Sequence, residues 1–250
     1  MESFLPLVHA NVVPDFLIRM GIRQMLSNMA STQNSLSPSE RVTAKQAYVA
    51  DLRTRKLAEH TAAANEQHYE VPAGFYSHVM GKYRKYSCGI WPSSTGSAED
   101  ADGACSLDES EAAALSLVCE RAGISDTPGF RVLDMGCGWG SFSLFCAAKF
   151  PNVSVTGVSN SASQREFIMG EARARGLTNV NIVTSDINTF DGAGGGFDRV
   201  VSIEMMEHVK NYELLLERVA SWLKDGGRFF VHIFTHVHTP FHYTGASGAE

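Results

Sequence analysis

A glycine-rich turn directly after an apolar segment carries the strongest chemical signal in this sequence. Residues 132–140 read VLDMGCGWG, with Gly136, Gly138 and Gly140 at alternate positions. Glycines at such a turn let the backbone bend tightly and lie close to a ligand, and the following helix N-terminus offers free N–H groups. Open α/β sheets bind their ligands at this edge. The pattern therefore predicts a small-molecule site at residues 136–140.

The details of this turn argue against a nicotinamide cofactor. The dinucleotide pattern is G-x-G-x-x-G with an acid about 20 residues further on, which binds the ribose. Here the third glycine comes one residue early, and the next predicted strand ends at Val158, Ser159 and Asn160 without an acid. Asp134, at the end of the first strand, suits a cationic or amine-bearing ligand better than a pyrophosphate. A turn that only packs helix on strand is the structural alternative.

A second group of reactive side chains follows the fourth predicted strand. Glu204, Glu207 and His208 lie at its carboxyl end, where a second reactant would approach the glycine turn. Two carboxylates near a histidine can bind a protonated amine, and one of the three can take its proton. The structural alternative is a helix start, in which Glu207 accepts from nearby N–H groups and His208 lies in solvent.

Strands and helices alternate in the part of the chain that holds both groups. The apolar runs predict strands at residues 131–135, 153–158, 180–185, 198–203 and 228–234. Helices are predicted at residues 139–149, 161–175 and 212–223, and a glycine-rich turn at 191–196 separates two strands. Strands that are apolar throughout imply a parallel sheet covered on both faces. The fold class is therefore α/β, a doubly wound and mostly parallel sheet.

Helical signals dominate the N-terminal part. Apolar residues from Ile18 to Met29 recur on one helical face, for which core or partner packing is favoured over a membrane-surface role. Ser37 and Glu40 form a capping pair for a helix predicted to run to about His60. Ser106 and Glu109 form another, for a helix that ends at Gly123. The segment 91–105 reads as a surface loop.

Composition excludes several classes of protein. The net charge of −6 gives no basic field for nucleic acid, and 44% hydrophobic residues indicate a globular chain. We find no apolar run long enough for a membrane span and no signal peptide, and we expect a cytoplasmic protein. The cysteine count of five is odd and includes no C-x-x-C pair, which argues against disulfides. His236, His238 and His242 lie on a loop without a carboxylate, so no metal site is expected.

Several motifs in register resemble those of one enzyme family. They are the 132–140 turn, NEQHYEVP at 65–72, YSCGIW at 86–91, SNS at 159–161 with Gln164, and IEMMEH at 203–208. These motifs resemble the class I S-adenosyl-L-methionine-dependent methyltransferases, in the branch similar to cyclopropane fatty acid synthases. Within that branch the chain is most similar to the coclaurine N-methyltransferase group, and the match runs from about residue 14 to 241.

The resemblance implies a role for each matching residue. Tyr86 and Ser87 would hold the methionine end of the cofactor, and Gly136, Cys137 and Gly138 would line it from below. The ribose would meet Asn160 and Gln164, and the adenine would meet Asp186 and Ile187. Asp134 and Ile203 complete the implied cofactor site, and Glu204, Glu207 and His208 are the implied catalytic residues. Two structural alternatives remain, with Asp186 as a loop cap and Tyr86 as a core residue.

Within this family, the residue at position 204 indicates which kind of molecule accepts the methyl group. In the cyclopropane synthases the residue matching Glu204 is usually a glycine, whereas the N-methyltransferase group has a glutamate. A charged Glu204 against a lipid chain would be costly without a partner, so an amine acceptor is favoured. The alternative is an acyl-chain enzyme, because Cys88, Glu207 and His232 match positions that hold a bicarbonate base in cyclopropane synthases. A third hypothesis is an inactive remnant that binds the cofactor without turnover.

The resemblance also suggests how the chain is divided. We expect residues 1–105 to form a helical segment with a cofactor-covering entrance loop, and residues 106–250 to form the cofactor-binding core. The resemblance implies a sheet of about seven strands, and five are predicted here, so we expect the core to be incomplete at the C-terminus. The fifth strand would then be an exposed apolar edge. The expected partners are a small-molecule amine or an acyl lipid, with a homodimer as a further expectation.

Overall fold

A computed structural model describes residues 5–59, 73–91, 105–236 and 240. The motif at 65–72, most of the predicted loop at 91–105, and His238 and His242 lie outside the described residues. By backbone contacts the chain divides into two units, Met1–Leu52 with Thr235–Glu250, and Arg53–Phe234. The predicted division near residue 105 stays a prediction.

The described part of the N-terminal unit contains three helices, the last of which ends just beyond the unit. They are α1 (Leu5–His9), α2 (Asp15–Asn34) and α3 (Pro38–Thr54). The predicted apolar face lies on α2, but Ile22, Met25 and Leu26 are each at least half exposed, so this face does not form a core. Ser37 caps α3 as predicted, since its Oγ accepts from the Glu40 N–H at 3.3 Å.

The larger unit is built on a five-stranded parallel sheet, as the alternating pattern predicted. Its strands are β1 (Arg131–Met135), β2 (Ser154–Ser159), β3 (Val180–Thr184), β4 (Phe197–Ile203) and β5 (Leu223–His232). The strand order is β3-β2-β1-β4-β5, and every pair is parallel. The order reverses direction at β1, so the turn after β1 lies at the switch point where open α/β sheets bind ligands.

Helices cover both faces of this sheet. Among the described residues of the larger unit, the helices are α4 (Ala73–Val79), α5 (Leu107–Ala122), α6 (Ser141–Lys149), α7 (Ala162–Ala174) and α8 (Tyr212–Trp222). Successive residues of β1 point to opposite faces: Val132 packs with α5, α6 and α7, and Leu133 packs with α8. Since both faces are apolar, burial holds β1 in the middle of the sheet and fixes where its last residue, Met135, ends.

Several predicted boundaries needed correction. The helix predicted to reach His60 ends at Thr54, because Ala58 instead exchanges hydrogen bonds with the Asn188 side chain and pairs with Val209. The helix predicted from residue 139 begins at Ser141, after Gly140 in a left-handed conformation. The fifth strand begins at Leu223 rather than 228 and ends at His232, since pairing with β4 starts earlier.

β5 forms one edge of the sheet within the described residues, and Val231 is 38% exposed there. Among the helices that the structure describes, none combines the length and apolarity that crossing a membrane requires.

Candidate active site

Two backbone hydrogen bonds hold the glycine turn against the neighbouring strand. The N–H groups of Gly136 and Cys137 both donate to the carbonyl oxygen of Val158, at 3.1 and 3.0 Å. Gly136, Gly138 and Gly140 all have positive φ, which glycine adopts without steric cost. A Cβ at Gly136 would lie 2.6 Å from Met205 Cγ, whereas a Cβ at Gly138 would meet nothing within 4 Å. Gly138 is therefore the place in the turn where a ligand can approach the backbone.

Asp134, at the end of β1, is almost completely buried under this turn. Its Oδ2 accepts a hydrogen bond from Ser143 Oγ at 2.6 Å. Burial raises the pKa of the Asp134 carboxyl from 3.8 to about 7, although the hydrogen bonds from Ser143 oppose this shift. A ligand ammonium group beside Asp134 would favour its ionised form. This geometry fits the cationic ligand that the sequence predicted.

The turn opens on two adjoining cavities. The smaller one, about 60 Å³, contains the predicted cofactor residues Tyr86, Ser87, Asp134, Gly136, Cys137, Gly138 and Ile203 in its lining. The larger one, about 200 Å³, is also lined by Glu204, His208 and Phe234. Both cavities share Tyr86, Gly136, Gly138, Trp139 and Ile203. Seven predicted cofactor residues and two predicted catalytic residues therefore lie around adjoining spaces.

The segment that carries Tyr86 and Ser87 is anchored by the start of α5. Glu111 is buried, and its two carboxylate oxygens accept from the N–H groups of Gly81 at 3.2 Å and Tyr83 at 2.9 Å. Tyr86 is 57% exposed and stands edge-on to the Tyr76 ring, with the centroids 5.8 Å apart. The alternative of Tyr86 as a core residue is therefore wrong, and its ring lines both cavities.

Lys85 is a residue that the sequence analysis missed. It lines the smaller cavity, and only 7% of its surface is exposed. Its Nζ donates a hydrogen bond to Ser87 Oγ. Burial lowers the pKa of the Lys85 ammonium, while the nearby Cys88 and Glu204 act in the opposite direction. Its neighbours Arg84 and Tyr86 are polar, so the local sequence predicts a solvated lysine, and only the tertiary contacts reveal a buried one.

Glu204 sits one residue beyond β4 in a strained left-handed conformation, with φ of 49°. Its own N–H donates to the His232 carbonyl at 2.8 Å, and its Oε1 accepts from the Cys88 N–H at 3.3 Å. Glu204 Oε1 lies 3.8 Å from His232 Nε2, which lies 3.7 Å from Cys88 Sγ. Non-glycine residues with positive φ persist where surrounding contacts fix them, and they concentrate at functional sites.

Glu207 and His208 take different positions on the short 3₁₀ turn Met206–His208. Glu207 Oε1 accepts from the Phe234 N–H at 2.9 Å, and its Oε2 is buried without a hydrogen-bond partner among the described residues. His208 is exposed and lines the larger cavity. Of the three residues matched to an anion-holding site, the structure brings Cys88 and His232 together with Glu204, while Glu207 binds the backbone beyond β5.

The remaining predicted cofactor residues lie outside the two cavity linings. Gln164 is buried, accepts from Ser159 Oγ at 2.6 Å, and keeps its Nε2 without a partner among the described atoms. Asp186 Oδ1 accepts from the Asn188 backbone and side chain, and the Ile187 side chain packs in the core with α8. An unsatisfied buried donor at Gln164 and an open approach at Gly138 both fit a polar ligand such as the implied cofactor.

Comparisons with known proteins agree with this architecture. The profile of the mycolic acid cyclopropane synthetase family matches residues 56–247, and the chain belongs to this family. It is 37% identical over 93% of its length to (S)-coclaurine N-methyltransferase of Thalictrum flavum subsp. glaucum, of which it covers 61%. It is also 36% identical over 67% of its length to cyclopropane-fatty-acyl-phospholipid synthase of Escherichia coli (strain K12), of which it covers 39%.

A solved structure shares the fold closely. The crystal structure of coclaurine N-methyltransferase bound to N-methylheliamine and SAH superposes with a TM-score of 0.82 at 35% identity. The match covers 91% of this chain and 62% of that one. The chain therefore spans about three fifths of the length of its N-methyltransferase relatives.

Proposed function

We propose that this chain is a methyltransferase that uses S-adenosyl-L-methionine and transfers a methyl group to a small-molecule amine. The observation that carries the proposal is the lining of the larger cavity, which contains Glu204 together with the aromatic residues Tyr86, Trp139 and Phe234. A carboxylate beside aromatic rings attracts a cation by charge and by cation–π contact. This lining suits a protonated amine much better than an acyl chain.

The cofactor side of the proposal rests on the smaller cavity. When bound, S-adenosyl-L-methionine supplies an electrophilic methyl group on a sulfonium. Asp134, Tyr86 and Ser87 surround the space proposed for its amino-acid end, and Gly138 lets it approach the backbone. Asn160 and Gln164 are proposed to contact the ribose, and Asp186 and Ile187 the adenine.

Each of the three proposed catalytic residues has a different role towards the amine acceptor. Glu204 holds the protonated amine next to the shared wall of the two cavities, so that the nitrogen lies near the cofactor. His208, which lines the same cavity, takes the proton that the amine must lose before its lone pair can react. Glu207 positions the chain beyond β5, because its Oε1 binds the Phe234 N–H and Phe234 contributes a wall of the cavity.

The names of the relatives support the amine over the acyl chain. The N-methyltransferase of Thalictrum flavum subsp. glaucum matches over nearly the whole chain, and a coclaurine N-methyltransferase structure holds N-methylheliamine and SAH. The E. coli relative named for fatty-acyl-phospholipid cyclopropanation keeps an acyl-chain enzyme as the second candidate, supported here by the proximity of Cys88 and His232. An inactive cofactor-binding remnant is the third.

The test is a methyl-transfer assay with methyl-labelled S-adenosyl-L-methionine and two acceptors. One acceptor is heliamine, the amine whose N-methylated form the relative's structure holds, and the other is a vesicle of unsaturated phospholipid. We expect label on the amine and none on saponifiable lipid. Label on lipid alone would overturn the amine proposal, and cofactor binding without any transfer would support the remnant.

A matched pair of variants tests the role of Glu204. Glu204→Gln keeps the shape and removes the charge, so kcat/KM for the amine should fall at least tenfold, as loss of a charge-assisted contact predicts. Glu217→Gln makes the same change on the exposed side of α8 and should leave kcat/KM unchanged. Wild-type values of kcat and KM in Glu204→Gln would show that Glu204 does not bind the acceptor.

Two coarser proposals concern the surroundings of the protein. We propose a cytoplasmic location, supported by five free cysteines that suit a reducing compartment. We also propose a homodimer, supported by the exposed apolar side chains of α2. Light scattering of the purified chain tests the dimer, and cell fractionation tests the location.

A further inference from the structure

Cys88, Glu204 and His232 offer one ligand atom each within a small volume. The sulfur, the carboxylate oxygen and the ring nitrogen all lie within 4.8 Å of one another. Thiolate, carboxylate and imidazole are the three ligand types that zinc takes from proteins. The cluster differs in this respect from an acidic patch, because a soft sulfur ligand and an imidazole select a thiophilic transition metal over calcium or magnesium.

The distances in the cluster are close to those around a single ion. Ligand atoms about 2.0–2.3 Å from zinc, set at tetrahedral angles, lie about 3.3–3.6 Å from one another. Cys88 Sγ lies 3.7 Å from His232 Nε2, which lies 3.8 Å from Glu204 Oε1. The two distances to His232 are therefore within a few tenths of an ångström of those around one zinc ion, and Cys88 Sγ lies within 4.8 Å of the Glu204 carboxylate oxygen.

The backbone holds the three residues in this arrangement. His232 is the last residue of β5 and pairs in register with Ile203, the residue before Glu204. The Glu204 N–H donates to the His232 carbonyl, and the Cys88 N–H donates to Glu204 Oε1. Strand register and two hydrogen bonds thus set the geometry, so binding a metal requires little ordering of the chain.

The cluster is also accessible to an ion from solvent. Cys88 is exposed, and the side chains of His232 and Glu204 are 33% and 19% exposed. A site with three protein ligands leaves a fourth position for water or another ligand, which is the arrangement of open zinc sites.

We propose that Cys88, Glu204 and His232 bind a thiophilic divalent cation such as Zn²⁺, with the fourth position open. On binding, the Cys88 thiol gives up its proton to solvent and the thiolate sulfur bonds to the metal, with no change of oxidation state. The Glu204 carboxylate is then a ligand of the metal and no longer available to the protonated amine. Inhibition of methyl transfer to the amine follows, a consequence that rests on the proposed function, whereas the metal binding itself does not.

Cobalt is a probe for this site because Co²⁺ replaces Zn²⁺ and reports its ligands by colour. Added to the full chain, one equivalent of Co²⁺ should give a thiolate charge-transfer band, and Zn²⁺ should remove it. Cys88→Ser should abolish the band, while Cys105→Ser, a change in a cysteine outside the cluster, should keep it. Absence of the band in the wild-type chain, or its persistence in Cys88→Ser, would overturn the proposal.

Two further variants keep the test independent of cysteine chemistry. His232→Gln and Glu204→Gln should each weaken Zn²⁺ binding at least tenfold in a competition titration with a chromophoric chelator, with thermal melting as a check of folding. His78→Gln, an exposed histidine elsewhere, should leave the affinity unchanged. Equal affinity in His232→Gln and wild type would overturn the assignment.

The activity assay separates this proposal from the proposed function. Zn²⁺ should lower methyl transfer in the wild type and in Cys105→Ser, and the fractional inhibition should be much smaller in Cys88→Ser, each variant being compared with itself without metal. Equal inhibition of all three would show that Zn²⁺ acts elsewhere. If no amine is methylated, the cobalt spectrum still decides whether the site exists.

Discussion

The glycine turn and the Cys88–Glu204–His232 cluster both lie at the carboxyl ends of neighbouring parallel strands, yet the chain assembles them differently. The turn is made from consecutive residues after β1, and its backbone bonds to the adjacent β2. The cluster joins residues that are 116 and 144 positions apart in the sequence. The turn is therefore a local structure that packing supports, whereas the cluster exists only after β4, β5 and the segment at 86–88 have met.

The glycine turn is also more deeply buried than the cluster. Asp134, Cys137 and Trp139 at the turn are buried, whereas Cys88 is exposed and His232 is a third exposed. Substitutions at the turn should act mainly on the free energy of unfolding, because buried groups are removed or crowded. Substitutions near the cluster should act mainly on ligand binding.

The largest expected effect is the pH dependence that Asp134 adds to stability. Folding raises the pKa of this carboxyl from 3.8 to about 7, so the native state binds its proton more tightly and the free energy of unfolding falls as pH rises between these values. Asp134→Asn removes this fall. The variant should gain about 4 kcal/mol relative to wild type between pH 4 and pH 8, measured by urea unfolding.

The same variant should weaken cofactor binding, because it cannot ionise beside a ligand ammonium group. We therefore expect Asp134→Asn to be the more stable protein above pH 7 and the poorer binder of S-adenosylhomocysteine. A stability difference that does not change with pH would contradict the buried, protonated state of Asp134.

A second prediction separates two glycines within the turn. In Gly140→Ala the new Cβ would lie 2.7 Å from Cγ1 of the fully buried Ile168, in a backbone with φ of 79°, so the free energy of unfolding should fall by about 3 kcal/mol. In Gly138→Ala the Cβ meets no atom within 4 Å, and only the strained backbone costs about 1 kcal/mol.

Cofactor binding should follow a different order from stability in these two variants. The Cβ of Gly138→Ala enters the space that we assign to the cofactor, so affinity for S-adenosylhomocysteine should fall at least tenfold in calorimetric titration. Full affinity in Gly138→Ala would show that the open side of this glycine does not face the cofactor.

The smallest expected effect concerns Lys85, beside the cluster. Its Nζ donates to Ser87, which we assign to the amino-acid end of the cofactor. Lys85→Met removes the donor that holds Ser87 in place, so S-adenosylhomocysteine should bind about tenfold more weakly. Binding of 5′-methylthioadenosine, which lacks the amino-acid part, should be unaffected. Equilibrium binding of both ligands gives the comparison.

Lys82→Met, an exposed lysine on the same segment, serves as the control and should change neither affinity. If Lys85→Met weakened both ligands equally, Lys85 would support the fold of the segment rather than the amino-acid end of the cofactor. Lys85 would then be a residue whose substitution acts on folding, as we expect at the turn, and not on ligand binding, as we expect near the cluster.

Sequence pattern predicted most of the regular structure because the governing interactions are local. The strand at 131–135 was predicted with the bounds it has, and Ser106 caps α5 while Gly123 ends it in a left-handed conformation, as expected. The predicted helix end near His60 was wrong, because the Ala58 N–H donates to the side chain of Asn188, which is 130 residues away in the sequence.

By itself, the sequence determined the alternation of strands and helices, the glycine turn after β1 and the residue types available for chemistry, because periodicity, caps and backbone freedom are properties of short segments. Tertiary structure alone decided that Lys85 is buried, that the pKa of Asp134 is raised to about 7, and that Glu204 lies beside Cys88 and His232. These outcomes depend on desolvation and on the register of parallel strands, which arise only when distant parts of the chain exclude water together.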